Sequence, residues 1–331
     1  MRYKNKKVLV TGGAGFIGSN LVRSLSEEGA LVTVLDDLFT GELSLIKNVP
    51  HTLFIKGSVA NVQLVDELVE KADIVFNLAA RNIIVSTKKP REDFKVNAAG
   101  MLNILAAAKK YGTQRVVYTS SASVYGNARY LPINEDDRLQ ILNPYAASKL
   151  SGENYCMAFF ESYDIPVTIV RYSNVYGTNQ SPSNPYCGVV SKFFTSVMND
   201  VPPKIHGDGE QTRDFTYVDD AVEATMLAAL SPRAIGEVLN VGTGKETSVK
   251  QLAKLIIDLS GNHMEPVYID RRDIDNLRRR VLNIEKIRQR LRWIPATPLE
   301  EGLSKTYEWL SLEDLERRRP KVSYKLKAKI S

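Results

Sequence analysis

The sequence predicts an α/β protein: a doubly wound parallel sheet followed by a smaller C-terminal α/β domain. Three observations carry the prediction. The first half alternates short β-branched apolar runs with helical patterns. A glycine-rich turn joins the first of these runs to the first helix. From about Gly177 the alternation loosens into loops marked by Pro, Asn and Gly.

The apolar runs are Val8–Val10, Leu31–Leu35, Leu53–Ile55, Ile74–Leu78, Val116–Thr119 and Val167–Val170. They are nearly continuous rather than alternating, as strands covered on both faces require. Helical patterns lie between them at Ser19–Glu28, Val62–Lys71, Phe94–Tyr111 and Tyr145–Tyr163. The stretch Ser181-Pro182-Ser183-Asn184-Pro185 and the turn Gly207-Asp208-Gly209 mark loops between shorter elements. No repeat of 20–50 residues interrupts this order. The expected division is a nucleotide-binding domain over 1–176, a mainly substrate-binding domain over 177–315 with segments returning to the first, and a basic tail over 316–331.

A chain of 331 residues, 44% hydrophobic and 25% charged, has the composition of a soluble globular protein. No apolar run approaches the ~20 residues of a membrane span, and MRYKNKKVLV leads straight into a strand, so neither membrane insertion nor a cleaved signal is expected. Cys156 and Cys187 have no metal-site or disulfide spacing, which makes a cytoplasmic location, buried thiols and no metal the expectation. The net charge of +6 is localised: residues 316–331 hold seven Lys and Arg against Glu316, so the body is neutral. A nucleic-acid-binding fold would carry its basic patch on the body, so no nucleic acid is expected as partner.

Val8-Leu9-Val10-Thr11-Gly12-Gly13-Ala14-Gly15-Phe16-Ile17-Gly18 is a strand, a tight turn and a helix start. Glycines suit a sharp turn and a close approach of backbone to a pyrophosphate, which then rests on free N–H groups at the positive end of the helix. Asp36 follows 18 residues after Gly18, at the end of the second strand. A carboxylate there accepts hydrogen bonds from both adenosine ribose hydroxyls and repels a 2′-phosphate. No arginine adjoins it in sequence, which favours NAD over NADP.

Tyr145-Ala146-Ala147-Ser148-Lys149 puts a phenol and an ammonium on one helix face. The ammonium favours the phenolate; moving a tyrosine from ~10 toward ~7 takes about 4 kcal/mol. The same spacing at Tyr3 and Lys7 means nothing, so context decides. Asn143-Pro144 marks a helix entry, and the strand through Thr119 ends in Ser120-Ser121-Ala122-Ser123. Hydroxyls therefore emerge at the carboxyl end of a strand, where open α/β sheets bind ligands.

Together with Asn77-Leu78-Ala79-Ala80, Asn97, the run Thr119–Gly126, Arg171-Tyr172-Ser173-Asn174-Val175-Tyr176-Gly177 and Gly207–Phe215, these motifs resemble the extended short-chain dehydrogenase/reductases. The similarity reaches Trp293 and is strongest to UDP-glucose 4-epimerase and related UDP-sugar epimerases. The resemblance implies a Rossmann-like fold in which Tyr145 is the acid/base, Lys149 its activator and a ligand of the nicotinamide ribose, and Ser121 a partner of the reacting oxygen, with Ser123 a second candidate. It implies cofactor contacts from Gly12, Gly15, Phe16, Ile17, Gly18, Asp36, Asp37, Ser58, Val59, Leu78, Ala79, Ala80 and Asn97. Asn174 and Arg213 would hold the diphosphate of a sugar nucleotide, and Arg272 with Asp275, or Arg278 in competition, the uridine. It further implies a homodimer, built on the helices Phe94–Lys110 and Tyr145–Tyr163, whose apolar Leu102, Leu105, Leu150, Cys156 and Phe160 exceed what one face needs to cover a sheet.

Dehydratases of this family carry an Asp-Glu pair in the loop after the fifth strand, and decarboxylating members a glutamate. Here that loop has only Thr119, Ser120, Ser121 and Ser123. The expected activity is thus NAD-dependent 4-epimerisation of a UDP-hexose, with 4,6-dehydratase, 4-keto-sugar reductase and a non-catalytic dinucleotide sensor as alternatives. Asn77 stands where relatives have histidine, and Ser58 where they have the aspartate that meets the adenine amino group. The tail alternates Val322, Tyr324, Leu326, Ala328 and Ile330 with Ser323 and three lysines. It reads as a disordered end, a docking strand or a weak contact to anionic membranes.

Overall fold

The computed structural model describes residues 1–182, 184, 188–271 and 277–318, with side chains to 313. Cys187, Arg272, Asp275 and the alternating segment Val322–Ile330 lie outside the described residues.

All six expected strands form, as β1 (Lys7–Thr11), β2 (Leu31–Asp36), β3 (Thr52–Lys56), β4 (Ile74–Asn77), β5 (Arg115–Ser121) and β6 (Val167–Tyr172). A seventh, β7 (Glu237–Val241), completes a parallel sheet of order β7-β6-β5-β4-β1-β2-β3. Successive residues of each strand feed opposite layers. Val8, Val10, Val117 and Val170 meet α1 (Phe16–Glu27) on one face. Leu9, Val116, Val167 and Ile169 meet, on the other, residues of α3 (Gly100–Tyr111) and α4 (Pro144–Tyr163), which follow α2 (Val62–Val69) in the chain. Strand order reverses between β1 and β4, the position at which doubly wound sheets open a ligand crevice.

The expected helix from Phe94 to Tyr111 has two parts: a wide π turn over Phe94–Ala99 runs into α3. Such turns occur often at functional sites, and this one carries Asn97. The start of α4 follows the sequence closely, since the Asn143 side chain accepts the Ala146 N–H at 2.9 Å and Pro144 takes the first helical position.

Beyond residue 177 the chain returns to the main sheet twice, as helix α5 (Val218–Leu230), which joins the α1 layer, and as β7. The rest builds a small lobe from short strand pairs. Asn174–Tyr176 pairs in parallel with Phe215–Tyr217, Thr212–Arg213 antiparallel with Thr247–Ser248, and Lys204–His206 in parallel with Val267–Ile269. Cys156 is fully buried in the core. Among the described residues no helix is long and apolar enough to cross a membrane, and no group of His, Cys, Asp and Glu could hold a metal ion.

Candidate active site

A cleft of about 950 Å³, part of it open solvent, lies over the carboxyl ends of β1, β2, β4 and β5. Gly12 has φ +70°, and a Cβ there would stand 2.7 Å from the Ala79 nitrogen; a Cβ at Gly18 would stand 2.1 Å from the Gly12 carbonyl oxygen. Side chains at either place would prise β1 from α1 and β4. Helix α1 starts after Gly15 with no side chain capping it and no acid in its first turn, so its N–H end is open to an anion. This bare backbone cradle fits a dinucleotide pyrophosphate.

Asp36, 8% exposed, ends β2. One carboxylate oxygen accepts the Ala14 N–H at 3.0 Å and the other the Leu38 N–H at 2.8 Å. Each oxygen keeps a further acceptor site, which suits two vicinal hydroxyls. Burial raises its pKa above the usual carboxylate value, and the two N–H bonds oppose that rise.

Gly15, Phe16, Ile17, Asp37, Ser58, Val59, Leu78, Ala79 and Ala80 line the same cleft. The Ser58 hydroxyl oxygen already accepts the Ala60 N–H at 3.2 Å. Asn97 is placed differently: it is 1% exposed and stands behind the wall, accepting the Arg81 N–H at 2.7 Å and donating to the Arg81 carbonyl at 3.0 Å. Both bonds hold the loop after β4. Asn77 accepts the Thr11 hydroxyl at 2.6 Å and donates to the Met101 sulfur at 3.0 Å, tying β1 to β4 and α3.

At the other end of the cleft, Tyr145 and Lys149 come from the first two turns of α4. The Lys149 ammonium is 2% exposed, donates to the Thr119 carbonyl at 2.8 Å and lies 6.0 Å from the centre of the Tyr145 ring. Burial lowers its pKa to about 8, against the pull of Asp93 and Glu153. Burial also pushes the Tyr145 phenol up to about 12, with a hydrogen bond to the Ser121 side chain working the other way. Desolvation thus outweighs the Ser121 hydrogen bond, and the Asp93 charge adds to the rise. Ser121 also donates to the Ser123 hydroxyl at 3.1 Å and accepts the Ser123 N–H at 3.1 Å. Three hydroxyls thus form one cluster at the end of β5.

Asn174 and Arg213 reach neighbouring positions in the small lobe: Asn174 is in register with Phe215, two residues beyond Arg213. Arg213 is 8% exposed and donates to the Thr212 and Leu277 carbonyls. Arg278 is exposed and held by Asp208 at 2.7 and 2.8 Å.

The structure adds residues the motifs did not flag. Asp93, 2% exposed, accepts from Asn97 at 2.6 Å and Ser148 at 3.0 Å, beside Tyr145 and Lys149. Glu153 accepts the Ser120 hydroxyl and a bidentate Arg171 guanidinium. Its spacing, four residues beyond Lys149 on one helix face, was a readable signal. Arg81 and Phe39 also line the cleft, from loops whose sequence predicts no meeting.

The model of the NAD dependent epimerase/dehydratase family matches residues 8–242. The UDP-glucose 4-epimerase of Mycolicibacterium smegmatis is 38% identical over 309 residues, 92% of this chain and 98% of that protein. The dTDP-D-glucose 4,6-dehydratase of Homo sapiens is 37% identical over 320 residues, 92% of this chain and 89% of that protein. The crystal structure of the Thermotoga maritima UDP-glucose 4-epimerase with UDP-glucose superposes with a TM-score of 0.89 at 36% identity, covering 93% of this chain and 99% of that one.

Proposed function

We propose that this chain, which belongs to the NAD dependent epimerase/dehydratase family, is a UDP-hexose 4-epimerase. One observation carries the choice within the family. The end of β5 and the loop after it, where Tyr145 meets Ser121, carry Thr119, Ser120, Ser121 and Ser123 and no carboxylate, while the carboxylates among the described residues lining the cleft, Asp36 and Asp37, stand at the adenosine end. Eliminating water from a sugar needs an additional acid and base; oxidising a carbinol and reducing the ketone from its other face needs a single proton carrier.

In this reading Asp36 takes the two adenosine ribose hydroxyls and the start of α1 takes the pyrophosphate. Lys149, anchored on the Thr119 carbonyl, holds the nicotinamide ribose. NAD, when bound, supplies the hydride acceptor and donor. Tyr145 removes the proton of the C4 hydroxyl as the carbon is oxidised and returns one as it is reduced, and Ser121, backed by Ser123, bonds the same oxygen in both states. Asn174 and Arg213 hold the diphosphate, and Arg278, in exchange for Asp208, takes the nucleotide.

The test is incubation of the purified protein with UDP-glucose, UDP-galactose and their N-acetylated and uronic forms without added cofactor. Interconversion of one C4 pair is the expected result. Accumulation of a keto-deoxy sugar would instead establish a dehydratase, and turnover of nothing would favour a sensor.

We also propose a homodimer. Leu105 and Cys156 are fully buried in the subunit's own core, so the apolar surplus is narrower than the sequence pattern implies. Phe94, Tyr155 and Tyr163 remain exposed on the π turn and α4, at 61%, 42% and 46%. Sedimentation at micromolar concentration is expected to give twice the chain mass; a monomer would reject the interface.

A further inference from the structure

The wall of the cleft beside Asp36 is an ion pair. Arg81 leaves the loop after β4 from a fixed point, because Asn97 bonds both its N–H and its carbonyl. Its guanidinium reaches Asp37 at 2.6 and 3.4 Å and lies over the Phe39 ring at 4.1 Å. The two charged side chains are 12% and 27% exposed, and all three residues line the cleft together with Asp36.

This arrangement bears on which dinucleotide can enter. NADP differs from NAD by a 2′-phosphate on the ribose that Asp36 contacts. A planar guanidinium stacked on an aromatic ring beside that ribose is the group that would ordinarily receive such a phosphate, through paired, charge-assisted hydrogen bonds. Here its charge is already matched by Asp37, and the phosphate would meet two adjacent carboxylates. Asp36 refuses the phosphate directly; Asp37 does so at one remove, by occupying the one guanidinium placed to accept it among the described lining residues.

We propose that Asp37, by holding Arg81, is a second determinant of NAD preference, and that the chain carries a masked 2′-phosphate site. The proposal rests on the dinucleotide reading of the cleft. Asp37 and Arg81 touch neither the nicotinamide end nor the proton carrier, so the effect belongs to binding.

The experiment is calorimetric titration of the full chain, freed of carried-over nucleotide on charcoal, with NAD and with NADP. Asp37→Ser is expected to raise the affinity for NADP relative to NAD at least tenfold. Adding Arg81→Ala to that variant is expected to return the ratio to its wild-type value. An unchanged ratio in Asp37→Ser would overturn the proposal while leaving the cleft assignment intact. A gain that survives the loss of Arg81 would also overturn it, since relief of carboxylate repulsion would then be the whole effect. A wild-type chain that binds neither dinucleotide would remove the cleft assignment and this proposal together.

Discussion

Tyr145→Phe is expected to reduce turnover of the UDP-sugar by about 10²–10⁴-fold, the usual penalty for losing a positioned acid/base, and to leave NAD bound. The change deletes one hydroxyl from a half-buried ring and leaves the Lys149–Thr119 contact in place. Cofactor affinity should therefore move little while turnover collapses. With the phenol pushed up to about 12, a standing phenolate at pH 7 would take about 7 kcal/mol of added stabilisation at 1.36 kcal/mol per unit. That is more than an ammonium 6.0 Å from the ring centre supplies in a solvated cleft. Taking the C4 proton nevertheless requires the phenolate, so turnover draws on the deprotonated fraction of Tyr145, whose charge the Ser121 hydrogen bond helps to stabilise. Wild-type turnover should consequently rise with pH toward an apparent pKa belonging to the Tyr145–Lys149 pair, and the residual activity of the variant should lack that limb. Near-normal turnover in Tyr145→Phe would place the proton carrier elsewhere.

How legible this was in the sequence depends on whether a feature is local. The glycine turn, Asp36, the capped start of α4 and the Tyr145–Lys149 face are each defined within a few residues, and the structure assembles them at one crevice because the strand order brings β1, β4 and β5 side by side. Strand β7 escaped the reading because its polar residues mimic a loop. Asn240 is fully buried, yet the Tyr125 hydroxyl, the Ile133 and Asn283 carbonyls and Glu135 satisfy it. Arg81 escaped for the opposite reason: its partner Asp37 is 44 residues away, and only the meeting of two loops makes the pair. Asn97, readable from its motif, stands on the π turn behind the wall and holds the loop carrying Arg81, a partner no local pattern shows. A pattern fixes which residues serve the site more readily than at what distance they serve it.

The second large effect concerns stability, at the pair that braces this site from below. Arg171 in β6 and Glu153 in α4 are 5% and 4% exposed, with the guanidinium 2.6 Å from one carboxylate oxygen. The remaining guanidinium donors go to the Tyr125 hydroxyl and the Glu135 carbonyl at 2.9 Å, and the carboxylate also accepts the Ser120 hydroxyl. Every partner is enclosed, so removing one charge strands the other. Glu153→Leu is expected to lower unfolding stability by about 3–5 kcal/mol, since a buried guanidinium would lose its counter-ion. Arg171→Met should do comparable damage. The double change Glu153→Leu with Arg171→Met is expected to lose much less than the two losses added, the non-additivity that identifies a coupled pair. Denaturant titration measures all three, and additive losses would refute the coupling. Glu153→Gln separates support from charge, because it keeps the shape and the Ser120 contact. Glu153 helps to hold the Lys149 ammonium protonated against burial. Its neutralisation should move the Lys149 pKa further below about 8 and with it the lower apparent pKa of the Tyr145–Lys149 pair, so that turnover rises at a lower pH and to a lower plateau than in the wild type. An unmoved rise in a folded Glu153→Gln protein would confine Glu153 to a structural role.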